Sequence, residues 1–93
     1  MKLVDLFENK IIDLWHLGQE AAVNNDYKKA IILMKQSYNN EDLQWNDYVS
    51  ATIAFLLNDK QSFEKYLGKK PNYNEKTIER LCKNWGKPYK TAY

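Results

Sequence analysis

The sequence predicts a small all-α domain of about five helices, and three observations lead to that prediction. Proline occurs only at positions 71 and 88, and glycine only at 18, 68 and 86, so few positions interrupt a helix. Apolar residues recur at steps of three and four along most of the 93 residues, and no segment alternates as a strand does. Short polar stretches such as residues 24–26 separate the apolar runs, which is typical of antiparallel helices joined by tight turns.

The first two helices are predicted over residues 2–24 and 27–38. Asp26 is expected to cap the second helix, because its carboxylate can accept hydrogen bonds from the free amides at the helix start. The turn between them is short, so the two helices should pack antiparallel. The first helix carries a broad apolar stripe made of Leu3, Leu6, Phe7, Ile11, Leu14, Trp15, Gly18, Ala21 and Ala22.

Three further helices follow, and turn residues mark their ends. Glu41 and Asp42 are expected in the first turn of the third helix, where carboxylates favour the helix dipole. Residues 51–57 are apolar on nearly all sides, which predicts that this helix is central. Gly68 and Pro71 are expected to end the fourth helix, and Asn74 is expected to cap the fifth. An irregular tail is expected over residues 89–93. The predicted ranges of the three helices are 41–57, 60–67 and 75–85.

Two spaced motifs in the first hairpin resemble a known repeat. Leu17-Gly18-x-x-Ala21 is followed by Asp26-Tyr27-x-x-Ala30, and small residues at this spacing allow close helix approach. Ala54 and Asn58-Asp59 repeat Ala21 and Asn25-Asp26 after 33 residues. The pattern resembles tetratricopeptide hairpins, whose period is about 34 residues; a generic helical bundle is the alternative. The length of 93 residues predicts a single domain over 1–93. The resemblance implies hairpins at 11–38 and 41–68 and a capping helix at 75–86, followed by a tail at 87–93.

Composition and charge narrow the class of protein. Residues 1–47 carry five lysines against eight acidic residues, net −3, and residues 48–93 carry nine basic against four acidic residues, net +5. Thirteen of the fourteen basic residues are lysine, a bias that is typical of AT-rich bacterial genes. No apolar run is long enough for a membrane span, and the N-terminus does not resemble a signal peptide. We therefore expect a cytoplasmic protein without membrane contact.

The sequence offers little for catalysis, metal binding or cofactor binding. His16 is the one histidine and Cys82 the one cysteine, so neither a histidine cluster nor a zinc thiolate site is expected. His16 and Glu20 share a helical face, which is more typical of a solvated pair than of an acid/base site. Cys82 lies on an apolar stripe and is interpreted as an inert core thiol. The prediction is a non-enzymatic protein with no cofactor and no metal.

The tetratricopeptide resemblance implies where a partner would bind. In that family the first helix of each hairpin lines an inner groove, which corresponds here to Ile12, Trp15, Gln19, Val23, Trp45, Tyr48, Thr52 and Phe55. Trp45 and Tyr48 stand out, because they flank polar residues and partial exposure is expected; Trp and Tyr dominate binding hot spots. The alternative is that these aromatics seal one end of the core. The predicted partner-binding residues are Trp15, Gln19, Trp45, Tyr48 and Thr52.

Three hypotheses about function follow. The first is a protein-binding module, most concretely a small bacterial immunity protein or antitoxin that binds and neutralises a partner toxin. The second is a nucleic-acid-binding regulator that uses the basic C-terminal half, with Tyr73, Trp85 and Tyr89 available for base stacking. The third is a structural or assembly subunit that buries its apolar surface by self-association; the oligomeric state stays open. The basic face of the second hypothesis consists of Lys69, Lys70, Lys83 and Lys87.

Overall fold

The computed structural model describes residues 3–68 and 72–93, with side chains from residue 9 onward. In this part of the chain every regular element is a helix, so the all-α prediction is confirmed. The five predicted helices are present with their ends shifted by at most a few residues, and a sixth, short helix follows them. The helices are α1 (Leu3–Val23), α2 (Tyr27–Gln36), α3 (Leu43–Leu56), α4 (Lys60–Glu64), α5 (Glu75–Lys83) and α6 (Tyr89–Ala92).

Helices α1 and α2 form a tightly packed antiparallel hairpin around Gly18. A methyl group in place of the Gly18 hydrogen would lie 2.8 Å from Cγ of Met34 and 3.3 Å from the carbonyl oxygen of Ala30. Met34 and Ala30 are fully buried, so neither has room to move into solvent. The close approach predicted from the small residues of this hairpin is therefore confirmed.

The turn between α1 and α2 consists of residues that end the first helix and directly cap the second. Asn25 has a φ of 64°, and its amide donates to the carbonyl of Ala22 at 3.0 Å. The amide of Asp26 donates to the carbonyl of Ala21 at 2.8 Å, which completes a Schellman motif. Asp26 Oδ1 then accepts from the amide of Lys29 at 3.2 Å, so the predicted cap of α2 is confirmed.

The turn between α3 and α4 has the same geometry 33 residues later. Asn58 has a φ of 57° and donates its amide to Phe55, while the amide of Asp59 donates to Ala54. Asp59 Oδ1 accepts from the amide of Ser62 at 3.2 Å and caps α4. Hydrogen bonds from the side chain and backbone of Ser62 hold the pKa of Asp59 below its usual value.

Helix α3 runs through the core, and α2, α4 and α5 pack against it. Residues 51–56 are all buried, which confirms the predicted central position. Its start differs from the prediction: Asp42 lies before the first turn and caps the helix, with Oδ1 accepting from the amide of Trp45 at 3.0 Å. Asn74 occupies the N-cap position of α5 as predicted, although its side chain makes no capping hydrogen bond.

A sixth helix follows α5, so the irregular tail predicted over residues 89–93 is wrong. Residues 89–92 form α6, and Tyr89 is fully buried. The backbone amide of Tyr89 donates to the hydroxyl of Tyr27 at 2.9 Å. The hydroxyl of Tyr89 accepts a hydrogen bond from Nε2 of Gln19 at 3.1 Å. Tyr93 stacks on the Tyr89 ring at a centroid distance of 4.5 Å. The segment is held in place because the Tyr89 side chain is buried against Gln19 of α1 and Phe55 of α3.

Candidate protein-binding groove

The middle of the predicted binding face is closed by an aromatic cluster. Trp15 lies 5.0 Å from Tyr48 and 5.2 Å from Trp45, measured between ring centroids. Trp15 and Tyr48 are buried by these contacts, and Thr52 is fully buried with its hydroxyl donating to the Tyr48 carbonyl at 3.0 Å. The partial exposure expected for Tyr48 is therefore wrong. Burial raises the pKa of the Tyr48 phenol to about 12.

One end of the predicted face is covered by the C-terminal segment. Gln19 is half-buried there and donates its hydrogen bond to Tyr89. Phe55 packs edge-on against Trp85 at 5.4 Å and against Tyr89 at 6.4 Å. Burial is the main cause that raises the pKa of Tyr89. A partner could reach this end of the face only by displacing α6.

The other end of the predicted face is open and forms a groove of about 430 Å³. Helix α1 has 21 residues and α2 has 10, so the N-terminal half of α1 extends past α2 and forms one side of the groove. Ile12, on that side, is 45% exposed, and Tyr73, before α5, is 62% exposed. Trp45 is half-buried at the start of α3, as predicted. The lining residues are Asn9, Ile11, Ile12, Asn39, Asp42, Trp45 and Tyr73.

Tyr73 is exposed and nevertheless fixed in position. Its hydroxyl donates to Oδ2 of Asp42 at 2.6 Å, and its amide donates to Oε1 of Gln44 at 3.1 Å. The neighbouring Asn72 donates from Nδ2 to the carbonyl of Gln44 at 3.2 Å. Partial desolvation and the hydrogen bond to Asp42 raise the pKa of Tyr73 to about 12. The ring therefore forms a rigid wall of the groove.

The segment between α2 and α3 is held just as firmly. The amide of Asn39 donates to Oδ1 of Asn46, and Nδ2 of Asn46 donates back to the carbonyl of Asn39, both at 2.8 Å. The Trp45 indole donates from Nε1 to the carbonyl of Ser37 at 2.8 Å. These bonds fix the floor of the groove before any partner arrives, which lowers the entropic cost of binding.

The other predicted site residues are the lysines of the basic face and the aromatic residues expected to stack on bases. Lys83 and Lys87 are exposed, whereas Lys69 and Lys70 lie outside the described residues, so the basic face stays a prediction. Tyr89 is fully buried, and base stacking by Tyr89 is therefore wrong. Trp85 is half-buried, with its ring 4.9 Å from Phe63 and 5.4 Å from Phe55.

The sequence did not single out Tyr73 as a protein-binding residue. A tyrosine between two asparagines, two residues after Pro71, lies in a polar loop where a core role is uncommon, and that was the available signal. Its position depends on Asp42, 31 residues earlier, and no local pattern contains that contact. Ile12 was part of the predicted groove but not among the five residues selected from it.

Comparisons of the chain with protein-family models, curated proteins and solved structures find no match. Among the described residues, no group of three or more histidine, cysteine, aspartate or glutamate side chains lies close enough to hold a metal ion. No helix in that part of the chain is long and apolar enough to cross a membrane. The groove is the feature on which a function for the chain is best based.

Proposed function

We propose that the chain is a non-enzymatic protein-binding module and that the groove between α1, α3 and Tyr73 receives the partner. The observation that carries this proposal is the geometry of Tyr73. Its ring is mostly exposed, yet hydrogen bonds to Asp42 and Gln44 fix it. A fixed, exposed aromatic ring offers a large contact area at little entropic cost, which is the property of a binding hot spot.

The composition of the groove supports the same proposal. Ile12 and Trp45 add apolar surface beside Tyr73, and Asn9 and Asn39 add polar groups around it. An apolar centre with a polar rim is the usual anatomy of a protein interface. A volume of about 430 Å³ falls within the range of about 300–1,000 Å³ that ligand pockets occupy. The groove has room for one large partner side chain together with its neighbours.

The most concrete form of the proposal is a small immunity protein or antitoxin that binds and neutralises a toxin. A compact chain with a preformed binding surface suits a protein that acts by covering its partner. A neighbouring reading frame for a large secreted protein with a variable C-terminus is the expected genetic context. If the toxin domain of that neighbour does not co-purify with this chain, the immunity form of the proposal is wrong.

The partner surface can be tested by affinity capture from the native source, followed by mass spectrometry. Ile12→Lys and Tyr73→Ala are expected to lose the specific partner, because they change the exposed groove without altering a buried side chain. Leu57→Ala is the matched control, since Leu57 is 59% exposed at the far end of α3. Circular dichroism should show that all three variants remain folded. A partner that all three folded variants retain equally would refute the groove as its binding surface.

A second candidate function is assembly by self-association, and a separate apolar patch favours it. Leu17 and Ile32 are about half exposed, and Leu33 lines a shallow groove beside each of them. Burial of this patch against a second copy would make the chain a structural subunit. Light scattering is the test: a dimer that Ile32→Lys converts to a monomer supports assembly, and a monomer at all concentrations refutes it.

A further inference from the structure

The groove differs in charge from the rest of the chain. The stretches that build it are residues 9–15, 37–47 and 72–74, and they contain one lysine and four carboxylates. Their net charge is −3 against +2 for the whole chain, so the remaining residues carry a net charge of +5. The groove therefore lies in an acidic part of a basic protein.

One of the four carboxylates lines the groove, and two others are exposed next to lining residues in the sequence. Asp42 lines the groove, and one of its oxygens accepts the hydroxyl hydrogen of Tyr73. Glu41 is exposed and directly precedes it, while Asp13 is exposed next to Ile12 on α1. Exposed acidic residues thus adjoin groove-lining residues in the sequence both on α1 and on the segment before α3.

We infer that the partner presents a cationic segment, in which one large apolar side chain enters the groove and lysine or arginine side chains face the carboxylates. This inference rests on the proposed function, because it names the chemistry of the partner at the same groove. Opposite charges at the rim of an interface accelerate association and exclude partners of the wrong sign. Trp45 and Tyr73 add ring faces that attract a nearby ammonium or guanidinium group. The same carboxylates repel a nucleic-acid backbone at this surface.

A random peptide library displayed on phage tests the inference without a known partner. Peptides of about 16 residues allow about four helical turns. They are selected on the wild-type protein and counter-selected on Tyr73→Ala and Ile12→Lys. We expect groove-dependent peptides to carry an excess of lysine and arginine around an aromatic or long aliphatic residue.

Charge variants then measure the electrostatic contribution with the best selected peptide. Asp13→Lys together with Glu41→Lys is expected to weaken binding at least about tenfold, mainly through slower association. Glu64→Lys is the matched control, because Glu64 is an exposed acidic residue on α4. Binding should also weaken as salt rises from about 0.05 to 0.5 M, since salt screens exposed charges.

The outcomes separate this inference from the proposed function. Groove-dependent peptides that are neutral or acidic, or whose affinity the double charge variant leaves unchanged, would refute the cationic partner and leave the protein-binding groove intact. A selection in which every enriched peptide binds Tyr73→Ala and Ile12→Lys as well as the wild type would refute both. Cationic, groove-dependent and salt-sensitive peptides would support both.

Discussion

At the scale of single residues, the first hairpin depends on the missing side chain of Gly18. The backbone of α2 approaches so closely there that a single added carbon would touch both the Met34 side chain and the Ala30 carbonyl. Glycine inside a helix costs about 1 kcal/mol relative to alanine, so its presence is explained by packing and not by helix propensity.

Gly18→Ala is predicted to lower the free energy of unfolding by about 1–3 kcal/mol. The gain in helix propensity is smaller than the cost of forcing a methyl group into the contact between α1 and α2. The measurement is the urea midpoint, with His16→Ala, on the exposed face of α1, as the control. A Gly18→Ala protein that unfolds at higher urea than the wild type would contradict this packing.

The two asparagines at the helix ends allow a second prediction about single residues. Asn25 and Asn58 both have a positive φ inside the same type of turn. Replacing either by alanine should cost about 1 kcal/mol, because a Cβ without a local polar partner is unfavourable in the left-handed region. Replacement by glycine should cost little. Thermal unfolding of the four variants is the measurement, and alanine variants as stable as the glycine variants would contradict the strain argument.

Because Tyr48 and Tyr89 are buried, we predict that the protein loses stability at alkaline pH. Burial raises the pKa of Tyr48 from 10 to about 12 and that of Tyr89 as well, so the folded state retains these protons where the unfolded chain loses them. Their contribution is complete below about pH 10 and is lost as the pH rises through the folded-state pKa values. The urea midpoint should therefore fall as the pH rises from about 10 to about 12. Tyr89→Phe should show a shallower fall, and an unchanged slope in that variant would contradict the prediction.

At the scale of elements, the turns and helix caps were predictable because they depend on residues that are adjacent in the sequence. Helix α6 was missed because its position depends on residues far away in the sequence. Asp26 and Asp59 cap the helices that directly follow them, so the turns were predictable from three or four adjacent residues. Helix α6 has four residues, too few for any periodicity. Its docking depends on Gln19 and Tyr27, which are 70 and 62 residues from Tyr89.

Tyr89→Ala is predicted to destabilise the protein by about 3–5 kcal/mol, the usual cost of removing a fully buried aromatic ring. Tyr93→Ala is the matched variant, because Tyr93 stacks on Tyr89 but is 43% exposed, and it should cost less than about 1.5 kcal/mol. Chemical denaturation of both variants is the measurement. Similar small losses in the two would mean that α6 contributes little to the fold.

At the scale of the whole molecule, three structural features determine which part of the predicted binding face is accessible to a partner. The cluster of Trp15 and Tyr48 closes its middle, α6 covers one end, and Tyr73 builds a wall at the other. The sequence selected Trp45 correctly as half-exposed. It could not tell which part was open, because aromatic residues that pack together and aromatic residues that bind partners have the same helical spacing.

The stretches that build the open end of the predicted face are more acidic than the rest of the chain. The open end of the face is built from acidic stretches, whereas Lys83 and Lys87 are exposed on and after α5. A partner that approaches the groove would therefore meet acidic residues, whereas the basic face of the C-terminal half stays a prediction. A cationic partner is expected to be attracted towards the acidic stretches that build the groove.

The most direct test of the binding groove is nuclear magnetic resonance mapping of the amide and indole signals as a bound protein partner or selected peptide is added. If the partner binds in the groove, the largest chemical-shift changes are expected at residues 9–13, 39–45 and 72–74, including the indole Nε1–H of Trp45. Shifts confined to α2, or to α5 and α6, with the groove signals unchanged, would contradict the claim that this groove is where the protein binds its partner.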